Sequence, residues 1–339
     1  TGSVGKTSTK EMIASVLSQK YQVLKTPGNF NNEIGVPLTI FMIDECHEAA
    51  VLEMGMNHFG EMHRLSRMVR PTHCVFTNIG VAHLEYLGSR EGILKAKTEM
   101  LDYAAENAGI FINGDDDMLA ALKDRAVTYG RESSNQVWAD QVENLGLDGV
   151  RCRIHAGEQT ITVTIPLPGT HMVYNACAGV SVGRSLGLTA EQIKKGIETL
   201  KPLSGRSNIL HTRRYTLVDD CYNSNPVSVC AMLDVLEYAL TRKVAILGDM
   251  GELGDRSEEL HGSVGKHIQK LHTDVVVTIG TLSKAIHETA QNSQALCLHY
   301  DTVDAFLNAK DQILQDGDSI LIKASHYMNF GQIVTALSD

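Results

Sequence analysis

The chain opens on Thr1-Gly2-Ser3-Val4-Gly5-Lys6-Thr7-Ser8, a glycine-rich turn that closes on Gly-Lys-Thr. Such a turn running into a helix presents several backbone N–H groups to a phosphate chain. Its lysine reaches the outer phosphates and its threonine hydroxyl reaches Mg²⁺. Met12, Ile13, Val16 and Leu17 recur at helical spacing, which predicts a helix from near Lys6 with its positive end aimed at the phosphates. Nucleotide binding is therefore expected from Gly2, Ser3, Val4, Gly5, Lys6, Thr7 and Ser8. The first glycine of the full G-x-x-x-x-G-K-T pattern and the strand before it are missing, so the chain is expected to be part of a longer protein.

Further candidates follow along the chain. Glu53 ends the apolar run Ala50-Val51-Leu52, and a carboxylate just past a buried strand beside such a loop can hold Mg²⁺ directly or through water; the alternative is a solvated strand end. His83 stands after Cys74-Val75-Phe76-Thr77-Asn78-Ile79-Gly80, where a lone histidine is either a ligand or a local hydrogen-bonder. Residues 89–107 read as one helix whose apolar stripe is Ile93, Leu94, Met100, Leu101 and Ala104. At about 100° per residue Lys97 falls at the centre of that stripe, while Lys95 points the other way. Burial of a lysine is costly and lowers its pKa. Three readings stay open at this point: a stem snorkelling to the rim, a phosphate contact, or a neutral amine that captures CO₂ as a carbamate. Asn29, Asn31 and Asn32 form an amide cluster suited either to turns and caps or to a site. Asp219-Asp220-Cys221-Tyr222-Asn223-Ser224-Asn225-Pro226 leaves a strand and enters a helix, where Asp and Asn can cap the helix or reach a ribose or base.

The elements that must position these residues alternate. Residues 49–54 and 72–79 are short apolar runs of the buried parallel-strand type, and 110–113 is another strand. From 137 to 165 the pattern becomes alternating, as in an antiparallel patch. Helices are expected over 171–186 and from Thr189, which can cap its own helix. Lys201-Pro202-Leu203-Ser204-Gly205-Arg206 reads as a linker. Beyond it strands at 215–219, 244–247, 274–279 and 319–322 alternate with helices at 227–240, from 257, 282–289, 303–314 and 331–337. The expected fold class is α/β: a P-loop-type ATPase domain with a mostly parallel sheet over 1–202, then a Rossmann-like doubly wound domain over 203–339.

With 339 residues, two domains can each bury a core. A formal net charge of -10 and scattered Lys and Arg argue against a nucleic-acid partner. The seven cysteines include no C-x-x-C pair and sit mostly in apolar runs, as reduced thiols of a cytoplasmic protein do. No apolar stretch approaches the roughly 20 residues needed to span a bilayer.

In order, T-G-S-V-G-K-T-S, N-F-N-N-E-I-G-V-P, E-M-G-M-N, T-N-I-G-x-A-H, A-K-T-E-M, L-P-G-x-H-x-x-x-N and D-D-x-Y-N-S-N-P resemble the Mur ligases, ATP-dependent amide-forming enzymes of peptidoglycan synthesis. The asparagine-rich segment and Gly248-Asp249-Met250-Gly251-Glu252-Leu253-Gly254 are most similar to the member that joins D-alanyl-D-alanine to UDP-N-acetylmuramoyl-tripeptide, rather than to the one adding the third peptide residue or to a folate polyglutamate synthase. The resemblance implies an acyl-phosphate route using ATP and two Mg²⁺ sites, a monomer, and an absent UDP-binding domain. It implies that Lys6 and Thr7 serve phosphate and Mg²⁺, that Glu53 and His83 hold magnesium, and that Lys97 is carbamylated. Asn32 would lie near the reacting phosphate, Arg206 would contact ATP, and Asp220 and Asn225 would lie near its ribose or adenine. Two departures stand out: Met172 where many members have Asn, and Lys323-Ala324-Ser325-His326 where Lys-Gly-Ser-Arg is commoner.

Overall fold

A computed structural model describes residues 1–80 and 84–338. The chain forms two compact units: residues 1–144, 150–166 and 170–200 in the first, and residues 145–149, 167–169 and 201 onward in the second.

In the first unit, β1 (Val23–Lys25) and β2 (Ala49–Val51) pair in parallel. A second, six-stranded sheet runs in chain order: β3 (His73–Phe76), β4 (Gly109–Asn113), β5 (Val127–Gly130), β6 (Val137–Asn144), β7 (Val150–Ala156) and β8 (Gln159–Ile165). It is parallel through β6 and antiparallel from β6 to β8, so the change of pattern after residue 137 marks a real change of sheet geometry. The helix Lys6–Leu17 packs on helices Met172–Ser185 and Ala190–Glu198. Close approach is possible because Gly179 and Gly183 offer no side chain where Met12 and Val16 lie. Thr189 closes a capping box with Gln192 at the start of the third helix.

In the second unit, β9 (Asn208–His211) through β14 (Ser319–Lys323) make one sheet ordered β13-β12-β11-β14-β10-β9, where β10 is Thr216–Asp219, β11 Lys243–Gly248, β12 Val275–Ile279 and β13 Leu296–Tyr300. Only β9 is antiparallel. Strands β12 and β14 are buried along their whole length, with apolar clusters on both faces, which is why they read as unbroken apolar runs. The strand order turns back where β14 inserts between β10 and β11, so the carboxyl ends Asp219, Gly248 and Lys323 share one end of the sheet.

One local expectation needs correction. The helix expected over 89–107 spans only Arg90–Thr98, followed by a 3₁₀ turn Glu99–Leu101. Glu99 there is drawn away to accept the Gly60 and His63 N–H groups at the start of the helix Glu61–Val69. Strands β5, β9 and β13 carried too little apolar alternation to be read beforehand.

Candidate active site

The glycine-rich loop is built on two glycines with different reasons. Gly5 has φ 77 and caps the helix Lys6–Leu17 from the left-handed region. A Cβ on Gly2 would sit 1.8 Å from the Thr77 hydroxyl, so no side chain fits there. Among the described residues no side chain caps this helix and no acid occupies its first turn, so its positive end stays available to an anion. The loop is laced to the segment after β3. Asn78 Oδ1 accepts from Ser3 and Val4 N–H at 3.0 and 2.9 Å, Thr77 donates to the Val4 carbonyl at 2.6 Å, and Gly80 N–H donates to Ser3 Oγ at 2.8 Å. Thr7 is buried beneath it.

Lys97 is 1% exposed, which rules out snorkelling. Its Nζ donates to the Gly2 carbonyl at 3.1 Å, and Lys6 Nζ donates to the same oxygen at 3.0 Å. Burial, and then the Lys6 charge, push the Lys97 pKa well below the ordinary lysine range. The apolar periodicity thus located a buried amine, and the fold brings it onto the phosphate loop.

Glu53 follows β2 and is 3% exposed. Its backbone N–H donates to Thr26 Oγ1 at 2.9 Å, and its Oε1 accepts from Asn31 Nδ2 at 2.7 Å. Its Oε2 is buried and has no hydrogen-bond partner among the described residues. A buried carboxylate oxygen in that state fits a hard cation, which takes oxygen donors. Buried Lys10 donates to the carbonyls of Thr26 and Gly28 at 2.7 and 3.4 Å, holding the segment that carries the asparagines. Asn32 does turn work with its Oδ1, accepting from Ile34 and Gly35 N–H at 3.1 and 2.8 Å. It is the neighbouring Asn31 that meets Glu53. His83 lies outside the described residues.

The candidates after residue 200 sit in the second unit. The Arg206 guanidinium lies over the Tyr222 ring, 4.3 Å from its centroid. Asp220 accepts from Ser207 N–H at 2.8 Å and pairs closely with Lys323, whose ammonium also donates to the Asn223 carbonyl at 2.8 Å. Asn225 caps the helix Pro226–Leu236 in a capping box with Ser228. Asp220 and Asn225 therefore both have structural partners. Lys10, Asn78 and Arg90 were not singled out from the sequence, because each bonds a backbone group distant along the chain.

An α/β chain with a glycine-rich loop, a buried amine on that loop and an orphaned carboxylate oxygen defines a nucleotide-using enzyme class. The Mur ligase middle domain matches residues 1–183 and the Mur ligase, glutamate ligase domain matches residues 205–326; the chain belongs to the Mur ligase family. It is similar to the UDP-N-acetylmuramoyl-tripeptide–D-alanyl-D-alanine ligases of Bacillus subtilis, 38% identical over 345 residues (100% of this chain, 75% of that protein), and of Escherichia coli, 33% identical over 347 residues (100% and 76%). Among solved structures it superposes on MurF from Acinetobacter baumannii with a TM-score of 0.90 at 32% identity, covering 99% of this chain and 75% of that one. It superposes on Thermotoga maritima MurF in complex with ADP with a TM-score of 0.88 at 29% identity, covering 99% and 78%. A Mycobacterium tuberculosis folylpolyglutamate synthase, at 14% identity and a TM-score of 0.72, shares the fold.

Proposed function

We infer that this chain is the catalytic body of an ATP-dependent ligase of peptidoglycan synthesis, which joins D-alanyl-D-alanine to UDP-N-acetylmuramoyl-tripeptide and releases ADP and phosphate. The observation that carries this reading is the convergence of the Lys97 and Lys6 amines on the Gly2 carbonyl of the glycine-rich loop. The Lys6 ammonium there, next to an open helix N-terminus, suits a triphosphate and the charge that develops as its terminal phosphoryl group moves, while the buried Lys97 amine, held toward its neutral form, suits carbamate formation.

In this reading the tripeptide's terminal carboxylate oxygen attacks the γ-phosphorus, the bond to the bridging oxygen breaks, and ADP leaves. The neutral amine of D-alanyl-D-alanine then attacks the acyl carbon, phosphate departs from the tetrahedral intermediate, and the nitrogen loses a proton. Lys6 and the loop N–H groups bind and orient the phosphates. Asn32, its Oδ1 already committed to the turn, offers its Nδ2 hydrogens to the reacting oxygens. Thr7 and Glu53 would hold one Mg²⁺ and His83 with Lys97 a second, the neutral lysine amine adding to CO₂ with loss of a proton to give an acidic carbamate. Bound Mg²⁺ neutralises phosphate charge and polarises the reacting oxygens. Arg206 is assigned to ATP, and Asp220 and Asn225 to the neighbourhood of its ribose or adenine. We place the enzyme in the cytoplasm as a monomer; no described helix is long and apolar enough to cross a membrane.

Phosphate release by the full-length protein, assayed with the UDP-linked tripeptide and ATP, tests the reading. Release that depends on D-alanyl-D-alanine supports it. Nucleotide binding without dipeptide-dependent release would replace it with a regulatory ATP-binding role.

A further inference from the structure

Ile79 is 1% exposed and lies just past the end of β3, so its peptide groups need partners of their own. Side chains from two different places supply them. Its carbonyl accepts from Arg90 Nε at 3.0 Å and from a terminal guanidinium nitrogen at 2.8 Å, and its N–H donates to Asp116 Oδ2 at 2.9 Å. Arg90 is the first residue of the helix that carries Lys97. Asp116 is itself tied down, its Oδ1 accepting from Met118 and Leu119 N–H at 3.0 Å each. The other end of the guanidinium forks onto Asp117 at 2.9 and 2.5 Å.

This grip is connected to the site in two directions. Along the backbone, Ile79 stands between Asn78 and Gly80, the residues that bond the phosphate loop at Ser3 and Val4. Along the helix, Lys97 lies seven residues on, two turns and about 10 Å from Arg90, and its amine also ends on the loop, at Gly2. The Arg90 and Asp117 side chains are 36% and 71% exposed, and ion pairs in water contribute little to stability. Stability alone does not account for a planar fork placed across a carbonyl and a carboxylate.

We propose that Arg90 is a positioning residue of the ligase reaction: by gripping the Ile79 carbonyl from the first turn of the lysine helix, it fixes the separation between the Lys97 amine and the Asn78-braced phosphate loop. Asp116 holds the preceding peptide of the same residue through the Ile79 N–H. The proposal rests on the ligase reading above.

The test uses the full-length protein with Arg90→Ala and Arg90→Lys. Steady-state ligation is read beside backbone amide exchange at Ile79 and at the β3 residues Cys74 and Phe76. Arg90→Ala is expected to lower kcat about 30-fold while the KM values for ATP and dipeptide stay within about 3-fold. Exchange at Ile79 is expected to rise about 10-fold with β3 unchanged. Millimolar guanidinium should restore part of kcat in Arg90→Ala. Arg90→Lys should stay impaired, because an ammonium cannot span the carbonyl and the carboxylate together. An unchanged kcat overturns the proposal even if Ile79 exchanges faster. So does an activity loss that parallels uniform acceleration of exchange across the fold, which would mark a structural residue. If the wild-type protein shows no dipeptide-dependent phosphate release, the ligase reading fails; Ile79-selective exchange in Arg90→Ala then still supports the grip, and unchanged exchange overturns it.

Discussion

Two buried lysines, one in the helix Arg90–Thr98 and one at the end of β14, are treated in opposite ways. Lys323, 2% exposed at the end of β14, has a carboxylate from Asp220 and a carbonyl from Asn223. Lys97, 1% exposed, shares a single carbonyl with a second lysine and has no carboxylate partner among the described residues. In the same unit as Lys97, Glu53 keeps a buried oxygen without a protein partner among the described residues. Burial is equal and compensation is not. A buried ion with a partner fits fold specification, whereas a buried amine and a buried carboxylate oxygen left open in one unit fit ligands of the opposite charge.

The sharpest way to break this contrast is Lys97→Met, which keeps the stem volume and removes the amine. Turnover is expected to fall by about three orders of magnitude, roughly 4 kcal/mol of transition-state stabilisation. In Lys97→Ala, an added short carboxylate is expected to recover part of the rate. An unimpaired mutant in the phosphate-release assay removes the amine from the mechanism. The same substitution carries a pH signature. The folded pKa of Lys97 lies well below its unfolded value. Between those two values the unfolded chain therefore binds the extra proton, and stability rises with pH, at up to about 1.4 kcal/mol per pH unit. Urea unfolding of ligand-free protein at pH 7 and pH 9 should show that rise in wild type and lose this part of it in Lys97→Met.

Lys323→Met tests the compensated side. Leaving Asp220 without its cation is expected to cost about 3 kcal/mol of stability in urea unfolding. A mutant of unchanged stability but weakened ATP binding would instead make Lys323 a ligand group and collapse the contrast. Glu53→Gln comes next in size. It keeps the shape and the Asn31 contact through its amide oxygen, so stability should hold while the Mg²⁺ concentration for half-maximal rate rises about 10-fold. Unaltered Mg²⁺ dependence would leave the orphaned oxygen without a role.

What could be read from residues alone follows the range of the interaction. The glycine-rich loop is a local motif, and Lys97 betrayed itself by its helical spacing to Ile93 and Leu94, although the helix ends at Thr98, before the rest of the expected stripe. The buried strands β12 and β14 were legible as apolar runs for the same reason. Asn78, Lys10 and Arg90 were not legible, since each does its work on a carbonyl or N–H group whose position only the fold supplies. The asparagine cluster was found, but not which amide meets the carboxylate. Asn31 and Asn32 differ by one step along a turn, and that step decides between Glu53 and the local backbone. Edge strands β9 and β13 escaped because they are only partly buried and so need little apolar patterning.

The smallest effect is the most discriminating, because Asn225 has two candidate jobs that one substitution separates. As the cap of the helix Pro226–Leu236 it accepts from Ser228 N–H at 2.9 Å, and its own backbone N–H donates to Ser228 Oγ at 3.1 Å. Removing a capping side chain of this kind costs about 1 kcal/mol. Asn225→Ala should lower stability by that amount with the KM for ATP unchanged, and Asn225→Ser or Asn225→Asp, which cap equally well, should restore stability. If Asn225→Asp restores the helix but raises the KM for ATP, the amide faces the nucleotide as well. The second unit would then contribute a ligand group through a residue whose hydrogen bonds already look complete.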